Sequence, residues 1–69
     1  PNPSNGEFYI AGEVAELKIF DNWGQAKTIR VREERNGVWV DLSSNKKGIY
    51  LLKFLRQGKV VTKRVILNE

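Results

Sequence analysis

The 69-residue chain contains no cysteine and no histidine. It therefore lacks a thiol nucleophile, the commonest general base and the usual zinc ligands. A chain of about 60 residues buries only ~60% of its extended surface on folding, so its core is small. Without cysteine, no disulfide can add to the stability of that core. We expect a single small domain that is not an enzyme and that holds no metal or cofactor.

Long apolar runs are also missing. No stretch approaches the ~20 apolar residues of a membrane-spanning helix, and the first residues do not resemble a signal peptide. We therefore expect no membrane insertion. If the protein is exported, its amino-terminal export signal is expected on a longer precursor.

Acidic residues are scarce in the final third of the chain. The whole chain has twelve Lys and Arg and eight Asp and Glu, a net charge of +4. Residues 1–43 have five basic and seven acidic residues, a net charge of −2, whereas residues 44–69 have seven basic and one acidic residue, a net charge of +6. The final third is therefore the electropositive part of the molecule.

The 3.6-residue apolar period of a helix is absent over any useful length. Instead, apolar and polar residues alternate in short runs between turn-forming residues, at 7–10, 14–20, 27–32 and 38–42 and in a final hairpin. The inward residues of the first four runs are predicted to be Phe8, Ile10, Ala15, Leu17, Ile19, Ile29, Val31, Val38, Val40 and Leu42. This pattern predicts an all-β fold, a small antiparallel immunoglobulin-like β-sandwich of six to seven short strands rather than a barrel.

The final hairpin is predicted to turn at Gln57-Gly58, because Gly58 can take a positive φ at little steric cost. Its core face would carry the pairs Tyr50–Val65, Leu52–Lys63 and Phe54–Val61. Its second face would carry Ile49, Leu51, Leu55, Val60 and Ile66, interleaved with Lys53, Thr62 and Arg64. That second face is either covered, or an ordinary surface with scattered aliphatic side chains, or a docking surface with a basic rim.

Turn-forming residues separate the runs. Residues 21–25, 33–37 and 43–47 are predicted turns or loops, and Asn36-Gly37 is the strongest two-residue turn sequence in the chain. Asp41-x-Ser43-x-Asn45 matches the first three oxygen positions of a calcium loop. Lys46 and Leu52, however, stand where that loop has its glycine and its closing glutamate. We interpret the stretch as an Asx-rich turn.

The aromatic residues leave two further functions open. Trp39 is predicted to face outward from a strand and Trp23 lies in a predicted turn, so either ring could stack on a sugar of a cell-surface glycan. Basic residues near exposed aromatic rings would also suit single-stranded nucleic acid. Lysines on solvent-facing strand positions have a simpler explanation, since they keep sheet edges from aggregating, and we do not expect nucleic-acid binding.

Five segments occur in an order and spacing typical of one protein family. They are Pro1-Asn2-Pro3-x-x-Gly6-x-Phe8, Leu17-Lys18-Ile19-Phe20-Asp21-x-x-Gly24-Gln25, Val40-Asp41-Leu42-Ser43, Gly48-Ile49-Tyr50-Leu51-Leu52-Lys53 and Gly58-Lys59-Val60-x-x-Lys63-Arg64-Val65-Ile66. Together they extend over essentially the whole chain. The sequence resembles the type A carboxy-terminal sorting domain of the type IX (Por) secretion system of the Bacteroidetes.

The resemblance implies an immunoglobulin-like sandwich that acts as a non-catalytic sorting signal at the end of a larger cargo protein. Cargo of this family passes through the periplasm, is recognised by an outer-membrane translocon and reaches the cell surface or the medium. A sortase-like peptidase then commonly removes the domain. By position, the sorting determinants would be Gly48, Tyr50, Lys63, Arg64, Val65 and Ile66, and the opening motif would be Pro1, Asn2, Pro3 and Gly6.

The resemblance also implies a division of the chain. Residues 1–6 would end a linker from the cargo, residues 7–69 would form the sorting domain, and the cleavage site would lie before Pro1. From the hairpin pattern, residues 59–67 would form an edge strand. Such an edge can add a strand of a receptor by β-augmentation, or pair with a second copy as a dimer.

Overall fold

The computed structural model describes residues 6–68. Six strands occur in this range: β1 (Glu7–Ala11), β2 (Ala15–Asp21), β3 (Arg30–Glu34), β4 (Gly37–Asp41), β5 (Gly48–Arg56) and β6 (Lys59–Leu67). Within the same range, no helix has the length and apolar character that a membrane crossing needs. The six strands agree with the predicted six to seven.

The strands form two antiparallel three-stranded sheets. The first sheet has the order β1–β4–β3, and the second sheet has the order β2–β5–β6. A constant-type immunoglobulin domain has the orders A-B-E-D and C-F-G. When β1 to β6 are matched in chain order to strands B to G, both sheets follow the immunoglobulin order, and no strand of residues 6–68 takes the place of strand A. The predicted immunoglobulin-like sandwich is confirmed.

The core lies between the two sheets and mostly follows the predicted alternation. Its buried hydrophobic residues are Ile19, Val38, Val40, Leu42, Tyr50, Leu52, Phe54, Val65 and Leu67. Phe8, Ile10, Leu17 and Ile29 are partly buried against them. Because successive side chains of a strand point to opposite faces, the intervening residues lie on the outer faces of the sheets.

The third strand differs from its prediction. It extends over Arg30–Glu34 and not over 27–32, so Glu33 and Glu34 belong to the strand and not to the turn. Val31 pairs with Val40 on the core face, yet it is 46% exposed, and its predicted place in the core was wrong. β3 is an edge strand, and alternation indicates which face a side chain takes but not whether the other sheet covers it.

The hairpin between β3 and β4 turns one residue earlier than predicted. Glu34 pairs with Gly37, so the two loop residues are Arg35 and Asn36. Gly37 is buried, and a Cβ atom there would collide with the Tyr9 phenol and with the Ile10 carbonyl oxygen. The glycine is needed because β1 approaches β4 closely at this point.

A β-bulge in β2 was not predicted. Ala15 pairs with Leu55, whereas Lys18 pairs with Lys53, so β2 holds one extra residue between these pairs. Glu16 takes a positive φ of 53° within the bulge. The extra residue shifts the alternation, and Ala15 faces outward with Leu55 instead of sharing the core face with Ile19 as predicted.

The turn after β2 is built around Asp21, as its composition predicts. Its Oδ1 accepts hydrogen bonds from the backbone N–H groups of Gln25 and Trp23, both at 2.9 Å, and its Oδ2 lies 3.4 Å from Lys27 Nζ. The Gln25 N–H foremost, then the Trp23 N–H and Lys27, hold the pKa of this carboxyl below its usual value. Trp23 is left at the tip of the turn with 83% of its surface exposed.

Candidate functional site: the terminal hairpin

The β5–β6 hairpin has the register that its sequence predicts. Tyr50 lies opposite Val65, and Arg56 lies opposite Lys59 across the two-residue loop. The loop residues Gln57 and Gly58 have φ angles of 53° and 76°, the two positive values of a type I′ turn. This prediction is confirmed, and the register decides where each proposed sorting determinant points.

Two of the proposed determinants, Tyr50 and Val65, are core residues. They pair on the inner face of the hairpin, and each is 4% exposed. The Tyr50 hydroxyl donates a hydrogen bond to the backbone carbonyl oxygen of Lys46, in the loop before β5. Both side chains therefore serve mainly the packing of the sandwich.

Gly48 has a conformational role at the start of β5. It pairs with Leu67 and has a φ of 150°, in a region that is essentially restricted to glycine. A Cβ atom there would meet nothing within 4 Å. The backbone angle, and not a lack of space, therefore requires glycine where the chain enters the hairpin.

The remaining determinants lie on β6. Lys63 pairs with Leu52 on the inner face and Arg64 pairs with Leu51 on the outer face, and both cations are exposed. Ile66 is partly buried on the outer face. Two neighbouring residues thus place positive charges on opposite faces of the same strand.

Among residues 6–68, β6 is the free edge of the second sheet, since it pairs only with β5. Arg56 and Lys59 are the first and last residues of the turn. In such a turn the Arg56 carbonyl oxygen accepts a hydrogen bond from the Lys59 N–H group. Residues of an antiparallel strand then alternate between those that bond the neighbouring strand and those that do not. The backbone groups that point away from β5 are those of Val60, Thr62, Arg64 and Ile66. We call these four residues the edge residues of β6.

The outer face of the second sheet is apolar at its centre and basic at its rim. Its apolar residues are Phe20, Ile49, Leu51, Leu55, Val60 and Ile66, and its basic residues are Lys18, Lys53 and Arg64. Ile49, Leu51 and Val60 are 40%, 37% and 67% exposed. No strand among residues 6–68 covers this face, so the interpretation of a hairpin covered on both sides was wrong.

A comparison with protein families identifies the chain. A family model described as the secretion system C-terminal sorting domain matches residues 1–68. The chain belongs to this family. The sorting domain is a C-terminal signal for type IX secretion and directs its cargo across the outer membrane to the cell surface or the medium. No curated protein and no solved structure matches the chain.

Family membership also establishes the general role of the sorting domain. Domains of this family are generally non-catalytic. They form the C-terminal part of a cargo precursor and interact with the type IX secretion machinery. The exposed surfaces of the terminal hairpin therefore belong to a domain whose role is to be recognised.

Sequence reasoning missed the part of the outer face that β2 and the following turn contribute. Phe20 pairs with Leu51, and the Lys53 Nζ lies 5.8 Å from the Phe20 ring centroid. The exposed Trp23 lines a shallow depression together with these three side chains. Pairing between strands that are distant in sequence has no local pattern, so nothing in the β2 sequence alone indicated this contribution.

The tip of the hairpin is tied to the turn between β1 and β2. Arg56 donates from Nε to the Glu13 carbonyl oxygen at 2.9 Å and from Nη2 to the Ala11 carbonyl oxygen. The Gln57 N–H donates to Glu13 Oε1 at 3.0 Å. The Arg56 guanidinium also lies 5.3 Å from the Phe54 ring centroid. These contacts join the hairpin tip to the first half of the sorting domain.

Gly6 is the member of the opening motif that the structure describes; Pro1, Asn2 and Pro3 lie outside the described residues. Gly6 is buried, and its carbonyl oxygen accepts a hydrogen bond from the Leu42 N–H at 2.7 Å. A Cβ atom at Gly6 would lie 2.9 Å from the backbone nitrogen of Ser43. Gly6 therefore joins the start of β1 to the residues after β4.

The Asp41–Asn45 stretch is an Asx turn, as interpreted. The Ser43 hydroxyl and the Ser43 N–H, the latter 2.8 Å from Asp41 Oδ1, hold the pKa of Asp41 below its usual value. Asn45 Nδ2 donates to the Thr28 carbonyl oxygen at 3.2 Å. Across residues 6–68, no three acidic side chains come close enough together to hold a metal ion.

Trp39 faces outward from the first sheet, as predicted. Its ring centroid lies 5.4 Å from that of Tyr9, and the Arg32 guanidinium lies 5.7 Å from the Trp39 ring centroid. The indole ring is therefore already in contact with two neighbours. Glycan stacking on Trp39 or Trp23 stays a prediction.

Replacing Tyr50 with Phe is expected to lower the free energy of unfolding by about 1 kcal/mol, because the part-buried hydrogen bond to the Lys46 carbonyl oxygen is lost. Export is expected to stay unchanged below the unfolding temperature, since the hydroxyl is not at the surface. Urea unfolding measures the first effect, with Tyr9→Phe, which removes a hydroxyl from a residue that is 42% exposed, as the control. Loss of export by a stably folded Tyr50→Phe variant would contradict the structural role.

Proposed function

We propose that the type IX machinery recognises this domain through the outer face of the second sheet and the free edge of β6. The supporting observation is the exposure of Lys63 and Arg64 on an edge strand, beside an apolar surface that no strand of residues 6–68 covers. An apolar centre with a polar rim is typical of protein–protein interfaces. Because residues 44–69 have a net charge of +6, the complementary surface of the translocon carries acidic groups.

The six proposed determinants divide into two roles. Gly48, Tyr50 and Val65 hold the hairpin in its place in the sandwich, as their backbone angle and burial require. Lys63 and Arg64 make the direct contacts, and Ile66 adds to the apolar surface beside them. Substitutions of the first group act through folding, whereas substitutions of Lys63 and Arg64 act on recognition.

The precursor passes through the periplasm, and a sortase-like peptidase then removes the domain by a cut before Pro1. Residues 1–6 end the linker from the cargo, and residues 7–69 form the recognised signal. Removal by a separate peptidase is consistent with a domain family that is generally non-catalytic. Mass spectrometry of the surface cargo is expected to find residues 1–69 missing, and a cargo that retains them would contradict removal without affecting recognition.

The combined substitutions Lys63→Glu and Arg64→Glu test the recognition proposal. In a fusion of residues 1–69 to a fluorescent cargo, expressed in a host with a type IX system, we expect surface delivery to fall at least about tenfold. The reason is that two attractive contacts become repulsive, and about 1.4 kcal/mol suffices for a factor of ten. Both side chains are exposed, so the fold is expected to persist. Cell-surface fluorescence measures delivery.

The matched control combines Arg30→Glu with Arg35→Glu. These residues are also exposed and produce the same change of net charge, but they lie on β3 and its turn, in the other sheet. Delivery of this control is expected to be unchanged. An equal loss in both variants would show that net charge and not position matters, and normal delivery of the Lys63 and Arg64 variant would contradict the proposal.

A further inference from the structure

A cleft opens between the free edges of the two sheets. β1 is an edge of the first sheet and β6 is an edge of the second. The cavity between them has a volume of about 320 Å³. Its floor consists of the core-side residues Phe8, Ile10, Leu52, Phe54 and Val65, and its basic residues are Arg56, Lys63 and Arg64. We call it the β1–β6 cleft.

The β1–β6 cleft lies beside the position that strand A takes in a constant-type immunoglobulin domain. In a constant-type immunoglobulin domain, strand A pairs with strand B, which corresponds to β1 here. No strand among residues 6–68 takes that place. Within residues 6–68, β6 pairs only with β5, so the cleft offers an inserted strand both an apolar floor and the outward backbone groups of an edge strand.

Lys63 is the unusual residue of the cleft. It pairs with the buried Leu52 on the inner face, where the alternation would place an apolar residue, yet it is exposed. Its ammonium group therefore extends to the mouth of the cleft. An inward lysine on an edge strand can simply prevent pairing between copies of a protein. Arg56 lines the same cleft, Arg64 borders it with its charge on the outer face, and no acidic residue lines it, which favours an acidic ligand instead.

We propose that the β1–β6 cleft binds an extended segment of the export machinery that carries two adjacent carboxylates. The segment pairs with the edge residues of β6. Its inward side chains are apolar except for one carboxylate opposite Lys63, and the next residue places the second carboxylate outward, opposite Arg64. Neighbouring side chains of a strand point to opposite faces, so two adjacent acidic residues match two adjacent cations that point to opposite faces.

Amide hydrogen exchange of the 69-residue chain, measured by NMR, tests this proposal. The probe is the peptide Thr-Val-Thr-Glu-Glu-Val-Thr-Val-Thr, and the control peptide has two lysines in place of the glutamates. At saturating probe, the amides of Val60, Thr62, Arg64 and Ile66 are expected to exchange at least about tenfold more slowly, because each gains a hydrogen bond. The lysine peptide is expected to give no protection. Absence of protection by the probe, or equal protection by both peptides, would overturn the proposal.

The variant Lys63→Gln separates a binding role of Lys63 from prevention of edge pairing. Glutamine keeps a polar side chain of similar length on the edge but removes the charge. The affinity for the glutamate probe is expected to fall about two- to fivefold, with no change in protection pattern. Unchanged affinity would show that Lys63 serves to prevent edge pairing. It would overturn the proposal that Lys63 binds a carboxylate of the segment.

This inference rests on the proposed recognition through the terminal hairpin, and the two can fail separately. If the double charge reversal abolishes export while the probe peptide protects no edge amide, recognition stands and strand insertion is refuted. If the edge amides are protected while the double charge reversal exports normally, the cleft binds strands but does not serve sorting, which refutes the assignment of the segment to the export machinery.

Discussion

Deletion of residues 63–69 is expected to unfold the whole sorting domain. Val65 and Leu67 are 4% and 5% exposed and belong to the core between the sheets. Burial of each side chain contributes ~1.5–3 kcal/mol. The deletion also removes about half of the β5–β6 ladder from a domain whose total stability is roughly 5 kcal/mol. Circular dichroism is expected to show the loss of the strand spectrum and of the cooperative thermal transition.

The matched control is the deletion of residues 68–69, which leaves every strand residue in place. Its thermal transition is expected to match that of the full chain. A cooperative transition in the protein that lacks residues 63–69 would contradict the assignment of Val65 and Leu67 to the core. Because this deletion unfolds the domain, its effect on export does not show that the tail is read directly. Substitutions of the exposed Lys63 and Arg64 do test this.

The substitution Gly37→Ala is expected to lower the free energy of unfolding by about 3 kcal/mol, at the upper end of the usual cost of overpacking. The added methyl group would collide with the Tyr9 phenol and with the carbonyl oxygen of Ile10. The phenol can turn away, but the carbonyl belongs to the β1–β4 ladder, so the two strands must separate. For a domain of this size, the midpoint of thermal unfolding is expected to fall by on the order of 10–20 °C.

The control Gly24→Ala separates collision from backbone strain. Gly24 has a φ of 83°, but a Cβ atom there would meet nothing within 4 Å. Alanine at this position is expected to cost only about 1 kcal/mol, the usual penalty of a left-handed conformation. Differential scanning calorimetry of both variants measures the difference. Equal losses of stability would show that conformation, and not the close approach of β1, explains the glycine at position 37.

The terminal hairpin was predictable because its information is local. Gln57 and Gly58 specify a two-residue turn, and a two-residue turn leaves one register for the strands on either side. The period of two then assigned Tyr50 and Val65 to the core and Arg64 to the outer face, as observed. The proposed site could be located from the sequence to this extent.

The errors arose where a distant contact overrides a local pattern. Ala15 faces outward because a bulge adds one residue to β2, and Val31 is exposed because it lies on the edge strand β3. Gly37 looked like a turn residue, but glycine is required there because β1 approaches closely, and β1 lies 26 to 30 residues earlier in the chain. A local pattern carries no information about which strand will lie next to it.

The sequence by itself determined the all-β class, the strand number, the terminal hairpin with its register, and the family. Each of these depends on alternation, turn chemistry or an ordered set of short segments, which are properties of neighbouring residues. Only the tertiary structure decided that Phe20 and Trp23 extend the outer face, that Val31 is exposed, and that β1 and β6 border one cleft. The physical reason is that the order of strands in a sheet, and which sheet faces are covered, depend on how the whole chain packs around one core. These contacts join residues that are distant in sequence.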